Sequence, residues 1–96
     1  MGGRVCVMTL PTRPGGDGAH PVHWLQAIEE HNQILRDLAD ERGWILIDAA
    51  AQFPTHPGLV QEKVWIDLVH VMPEGNMAKA EMAAVALREH WLSEQH

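Results

Sequence analysis

Asp67 and His70 are the residues of this chain best suited to chemistry. They stand three positions apart in Asp67-Leu68-Val69-His70, followed by Val71-Met72-Pro73-Glu74-Gly75 and an alanine-rich segment. A carboxylate that accepts a hydrogen bond from one ring nitrogen fixes a histidine's tautomer, and the other nitrogen can then take a proton from a hydroxyl. That is the acid–base half of a nucleophilic hydrolase. The nucleophile is not beside it. The only serine, Ser93, lies among Glu94, Gln95 and His96, without the sharp turn that exposes an attacking hydroxyl. Solvation at a helix end accounts for it better.

With five aspartates and seven histidines in 96 residues, a D-x-x-H arises easily by chance, and a surface ion pair is the competing reading. Context gives the motif its weight: a strand-like run precedes it, and a glycine and a helix follow. Trp65, two residues before Asp67, could wall a substrate pocket. Thr9 and Thr12 fall near the end of an expected strand, on the side where α/β sheets bind ligands; simple strand and loop roles compete with that. Asp48 ends the second expected strand and could either approach the site or cap the next turn.

His20 and His23 form an H-x-x-H pair, and Cys6, His31 and His56 are the further candidates for a metal. Nothing in their spacing selects a third or fourth zinc ligand, so no metal and no cofactor is expected. Trp24, Trp44 and Trp91 read as packing residues. Cys6 reads as a small buried hydrophobe.

These residues need elements to hold them. Residues 5–10, Val-Cys-Val-Met-Thr-Leu, form a continuous apolar run of the kind covered on both faces in a parallel sheet, stopped by Pro11. Two prolines and three glycines across 11–20 predict a surface loop. Residues 22–42 carry Trp24, Leu25, Ile28, Leu35, Leu38 and Ala39 on one helical stripe, with Gly43 as the stop. Residues 44–48 repeat the buried-strand pattern. Residues 49–64, with Pro54, Pro57 and Gly58, read as mostly loop with one irregular helical turn. Residues 74–92 predict a last helix, buried through Met82, Val85, Ala86, Leu87 and Trp91, with Glu74 at its positive end. The result is an α/β chain: one βαβ unit of parallel strands plus a C-terminal helix. Two strands make a thin core with an unpaired edge, so the unit looks incomplete.

Ninety-six residues bound a single domain or part of one. A net charge of −6 and seven thinly spread basic residues exclude a nucleic-acid or anionic-membrane surface. No apolar run could span a bilayer, and no signal-peptide pattern is visible. One cysteine fits a reducing compartment, and the chain as it stands is expected in the cytoplasm.

The stretch around Asp67 resembles the C-terminal block of the SGNH hydrolases, the GDSL-type esterases and lipases. Their catalytic Asp and His form D-x-x-H, followed by a glycine and the last helix, and Asp67, His70 and Gly75 stand in those places. Residues 5–11 look like the family's fourth strand, His31-Asn32-Gln33-Ile34-Leu35 like the start of its N-x-x-L helix, and residues 44–48 like its fifth strand. Met72 departs from the small polar residue common there. The Gly-Asp-Ser block and the two blocks that supply the oxyanion hole have no counterpart in the chain. The resemblance implies a partial flavodoxin-like three-layer α/β/α fold, residues 1–96 being the C-terminal part of the hydrolase domain. It implies that Asp67 orients His70, while serine and oxyanion donors come from a missing N-terminal region or another chain. The substrate of the complete enzyme would be a small ester or acylated molecule, and this chain alone would be inactive. Two rivals are a non-catalytic module, with a possible homo-oligomer formed through the strand edge, and a histidine-based metal-binding protein.

Overall fold

The computed structural model describes residues 4–14, 16, 22–66 and 68–94. Asp67, Asp17, His20 and the last two residues therefore lie outside the described residues. The elements run β1 (Cys6–Met8), α1 (Val22–Arg42), β2 (Ile45–Ile47), α2 (Ala49–Gln52), a 3-10 turn (Phe53–Thr55), α3 (Gln61–Val64) and α4 (Pro73–Glu94). β1 and β2 are parallel, in the register Cys6 with Ile45, Val7 with Leu46 and Met8 with Ile47. α1 is the crossover between them. It ends at Gly43, whose φ of +68° is the left-handed turn that glycine adopts without a Cβ penalty.

Side chains alternate across the sheet, so the two helices divide its faces. Ile47 packs in one cluster with Ala78 and Met82 of α4, whereas Leu46 turns toward Arg36 and Ala39 of α1. The core beneath α4 is completed by Ala49, Phe53, Val64, Trp65 and Val71. Phe53 has no exposed surface; its ring meets Trp65 in a tilted pair with centroids 5.2 Å apart, a favoured aromatic geometry.

The mixed α/β character and the parallel pair agree with the sequence pattern, and α1 has the expected limits. The loop expected over 49–64 instead holds α2, the 3-10 turn and α3. Ala49, Phe53 and Val64 bury there, and that burial offsets the turn-forming prolines. Two burial expectations fail for one reason. β1 is exposed at Cys6 and Met8, because α4 lies over β2 and leaves β1 uncovered on that face. For the same reason Val85, Leu87 and Trp91 of α4 are exposed, and the buried line is Gly75, Ala78 and Met82. Trp24 is likewise exposed. Among the described residues, no helix is long and apolar enough to cross a membrane.

Candidate functional site

The segment that carries His70 is a tight loop built on a single antiparallel bridge. Trp65 and Val71 face each other, the amide of Ile66 donates to the carbonyl of His70 at 2.8 Å, and the amide of Met72 donates to the carbonyl of Val64 at 2.7 Å. Trp65, Leu68 and Val71 are buried while Ile66 and His70 are exposed, so the loop is anchored by apolar side chains and turns the imidazole outward.

Three contacts fix where this loop sits. Trp65 packs on Phe53, and its indole nitrogen donates to Gln61 at 3.3 Å. The tryptophan therefore anchors the loop from below. The amide of Arg13 donates to the carbonyl of Leu68 at 2.8 Å, tying the loop to the chain just beyond the end of β1. Finally, α4 starts at Pro73, where a missing N–H costs nothing, and two residues later Gly75 is buried against the loop. A Cβ built on Gly75 would stand 2.6 Å from Cβ of Val71 and 3.0 Å from Cγ2 of Val64. Only a glycine lets α4 come this close.

A second constellation closes the same end of the sheet. Thr9 and Asn32 are both 1% exposed. Asn32 accepts from the amide of Leu10 at 2.8 Å and donates to its carbonyl at 2.9 Å, as a neighbouring strand would. Thr9 donates to Asp48 at 2.8 Å and accepts from the amide of Ala50 at 2.9 Å. Arg36 holds Asp48 with two bonds, 2.9 and 3.1 Å, and reaches Glu29 at 2.8 Å. Burial pushes the Asp48 carboxyl up, but the bonds from Arg36 and Thr9 outweigh it and hold it below the usual carboxylate range. Those same bonds to Asp48 and then Glu29 raise the Arg36 guanidinium.

This network locks the two strand ends to α1, and every member has its partner. The hydroxyl of Thr9 is thus committed at both its donor and its acceptor side, and Asp48 faces α1. The sequence pattern gave no role to Asn32 or Arg36. The available signal was position, since Asn32 falls between Ile28 and Leu35 on the apolar stripe of α1. A cleft of about 240 Å³ opens beside the network, lined by Leu10, Thr12, Ile28, Glu29, Ala50 and Pro54. His70 is not part of that lining. Among the described residues, no group of three or more His, Cys, Asp or Glu could hold a metal ion. His56 instead sits 3.4 Å from Glu81, and His90 3.1 Å from Glu94.

No family model matches the chain, and no curated protein or solved structure matches it.

Proposed function

We propose that these 96 residues are the C-terminal part of an SGNH-type serine hydrolase with a flavodoxin-like three-layer fold, and that they supply its acid–base pair. The observation that carries this reading is the bond from the Arg13 amide to the Leu68 carbonyl. It ties the D-x-x-H loop to the exit of β1, at the carboxyl end of a parallel pair, where open α/β sheets hold their sites. The exposure of His70 on a loop with buried anchors supports it as well. A catalytic imidazole must be reachable by substrate yet rigidly based.

In this role Asp67 accepts a hydrogen bond from the His70 ring and fixes its tautomer. His70 removes the proton from a serine hydroxyl as that oxygen attacks the ester carbonyl, then returns it to the departing alcohol. Water, deprotonated by the same imidazole, hydrolyses the acyl-serine. The serine and the oxyanion donors come from polypeptide outside these 96 residues, and no metal takes part. Asp48 is not part of this pair; it stiffens the strand ends through Arg36 and Thr9.

The test is p-nitrophenyl acetate hydrolysis by the purified chain and by His70→Ala. The expected rate is that of buffer for both. Robust turnover that His70→Ala abolishes overturns the division of labour, because the nucleophile would then lie within the chain.

A further inference from the structure

α4 carries a second apolar line besides the one it buries. Gly75, Ala78 and Met82 face inward, toward a core that includes Ile47 of β2. Met77, Ala80, Ala84, Leu87 and Trp91 follow one another at alternating steps of three and four residues, so they share one stripe. At about 100° per residue, that stripe is centred on the side of the helix opposite the buried line. All five residues are exposed, and Met77, Leu87 and Trp91 keep 66, 46 and 58% of their surface in solvent. Packing against the sheet does not use this spacing; it is the spacing by which one helix packs along another.

The two flanks of this seam differ. Glu74, Glu81 and Arg88 run along one flank at steps of seven, and Asn76, Ala83 and His90 along the other. Glu81 is 65% exposed although it also meets His56, and Arg88 is exposed. A two-fold axis across the seam turns each flank toward its own copy, so the register decides which charges meet. With Ala84 level with the partner's Leu87, Ala80 lies level with the partner's Trp91, and Glu81 faces the partner's Arg88. Large side chains then oppose small ones in both layers. Sliding by one heptad sets Glu81 against the partner's Glu81 in one direction, and Arg88 against the partner's Arg88 in the other. A parallel pair would set Trp91 against the partner's Trp91 and alanine against alanine, with neither charge near its opposite.

We infer that two copies of this chain associate through the outer side of α4, the helices antiparallel about a two-fold axis in that register. What favours a second copy is this self-complementarity: one register fills both alanine positions with a large side chain and pairs both unlike charges. The interface is one helix pair about four turns long, with two ion pairs beside two apolar layers repeated by the axis. That is small for a specific contact, and it fits a Kd on the order of 10–100 µM. The sheet side of α4, the open edge of β1 and the His70 loop take no part. The pairing therefore leaves the sheet free to be completed by other polypeptide, and it stands or falls apart from the catalytic reading.

The test is analytical ultracentrifugation of the 96-residue chain in low salt, from about 10 µM to about 0.5 mM, a range that brackets such a Kd. The native chain should shift from its own mass of 10.7 kDa toward twice that, about 21 kDa. Ala84→Glu sets a charge in the middle of the seam and should abolish the shift, with an unchanged circular-dichroism spectrum because the position is exposed. Arg88→Glu turns two attractive pairs into two repulsive ones and should weaken association about tenfold. Adding Glu81→Arg to Arg88→Glu restores unlike charges in the same register and should recover the native affinity. A native chain that stays monomeric at the highest concentration overturns the proposal and leaves the seam to a helix of another polypeptide. A dimer that Ala84→Glu leaves intact overturns it as well, and so does a charge swap that fails to recover association.

Discussion

Replacing Gly75 by alanine sets two effects of opposite sign against each other. Gly75 lies in the first turn of α4, and helix propensity alone favours alanine there by up to about 1 kcal/mol. The approach of the helix to the His70 loop works the other way. The new Cβ would stand 2.6 Å from Cβ and 2.7 Å from Cγ2 of Val71, closer than real Cβ atoms come. The first of those atoms is one that every residue but glycine carries, so no rotamer change at Val71 relieves the contact. The loop or the helix must move, and overpacking of this kind costs about 1–3 kcal/mol. Subtracting the full propensity gain leaves a net loss of up to about 2 kcal/mol. For a domain of this size that lowers Tm by up to about 15 °C. Thermal and urea unfolding followed by circular dichroism give the sign directly. A Gly75→Ala variant as stable as the native chain, or more so, would refute the close approach and with it the anchoring of the loop by α4.

The network at the strand ends makes three further predictions. Asp48→Asn removes the charge that Arg36 grips, and should cost about 1.5–3 kcal/mol at pH 7. Because Asp48 is held below its usual range when folded, its contribution is full above about pH 4 and is lost as the pH falls through the folded value. The gap between native and Asp48→Asn stability, measured by urea unfolding, should therefore close in acid; a constant gap down to pH 2 contradicts it. Asn32→Ala strips both partners from the backbone of Leu10 and should cost about 2–4 kcal/mol, read from the urea midpoint. On α4, burial lowers the Lys79 ammonium, and among the described residues no carboxylate offsets it. Lys79→Met should thus raise Tm at pH 7 by on the order of 2 °C, a gain that shrinks toward the pH where lysine titrates.

What the sequence made legible follows from which forces act locally. The limits of α1 were readable because a 3.6-residue apolar period and a terminal glycine are both written into residues 22–43. The two strands were readable as apolar runs of β-branched residues. Burial was harder, since it depends on what covers a residue. Val5-Cys6-Val7-Met8 reads as a two-sided core strand, yet Cys6 and Met8 are exposed, because α4 crosses over β2 and not β1. Leu87 and Trp91 were misplaced by the same fact. Phe53 illustrates the converse: it sits between a glutamine and a proline, and only tertiary packing against Trp65 and the rest of the core beneath α4 buries it.

The candidate site was legible in part. The spacing of Asp67 and His70 and the glycine at 75 can be read from the sequence, whereas the bond that ties Leu68 to Arg13 joins residues 55 positions apart and leaves no local trace. Asn32 and Arg36 were also obscured, because polar side chains on a helix ordinarily read as its solvated face. Their role appears only when β1 and β2 end beside α1.

The central claim is that Asp67 and His70 serve a serine carried outside these residues. Its most direct test is ester turnover by a chain extended through the coding sequence upstream of Met1, compared with Asp67→Asn and His70→Ala. The expected finding is a strand ending in Gly-Asp-Ser in that sequence, and a rate that falls about 10⁴-fold or more in each variant. An upstream sequence without such a serine, or turnover that neither substitution changes, would contradict the claim.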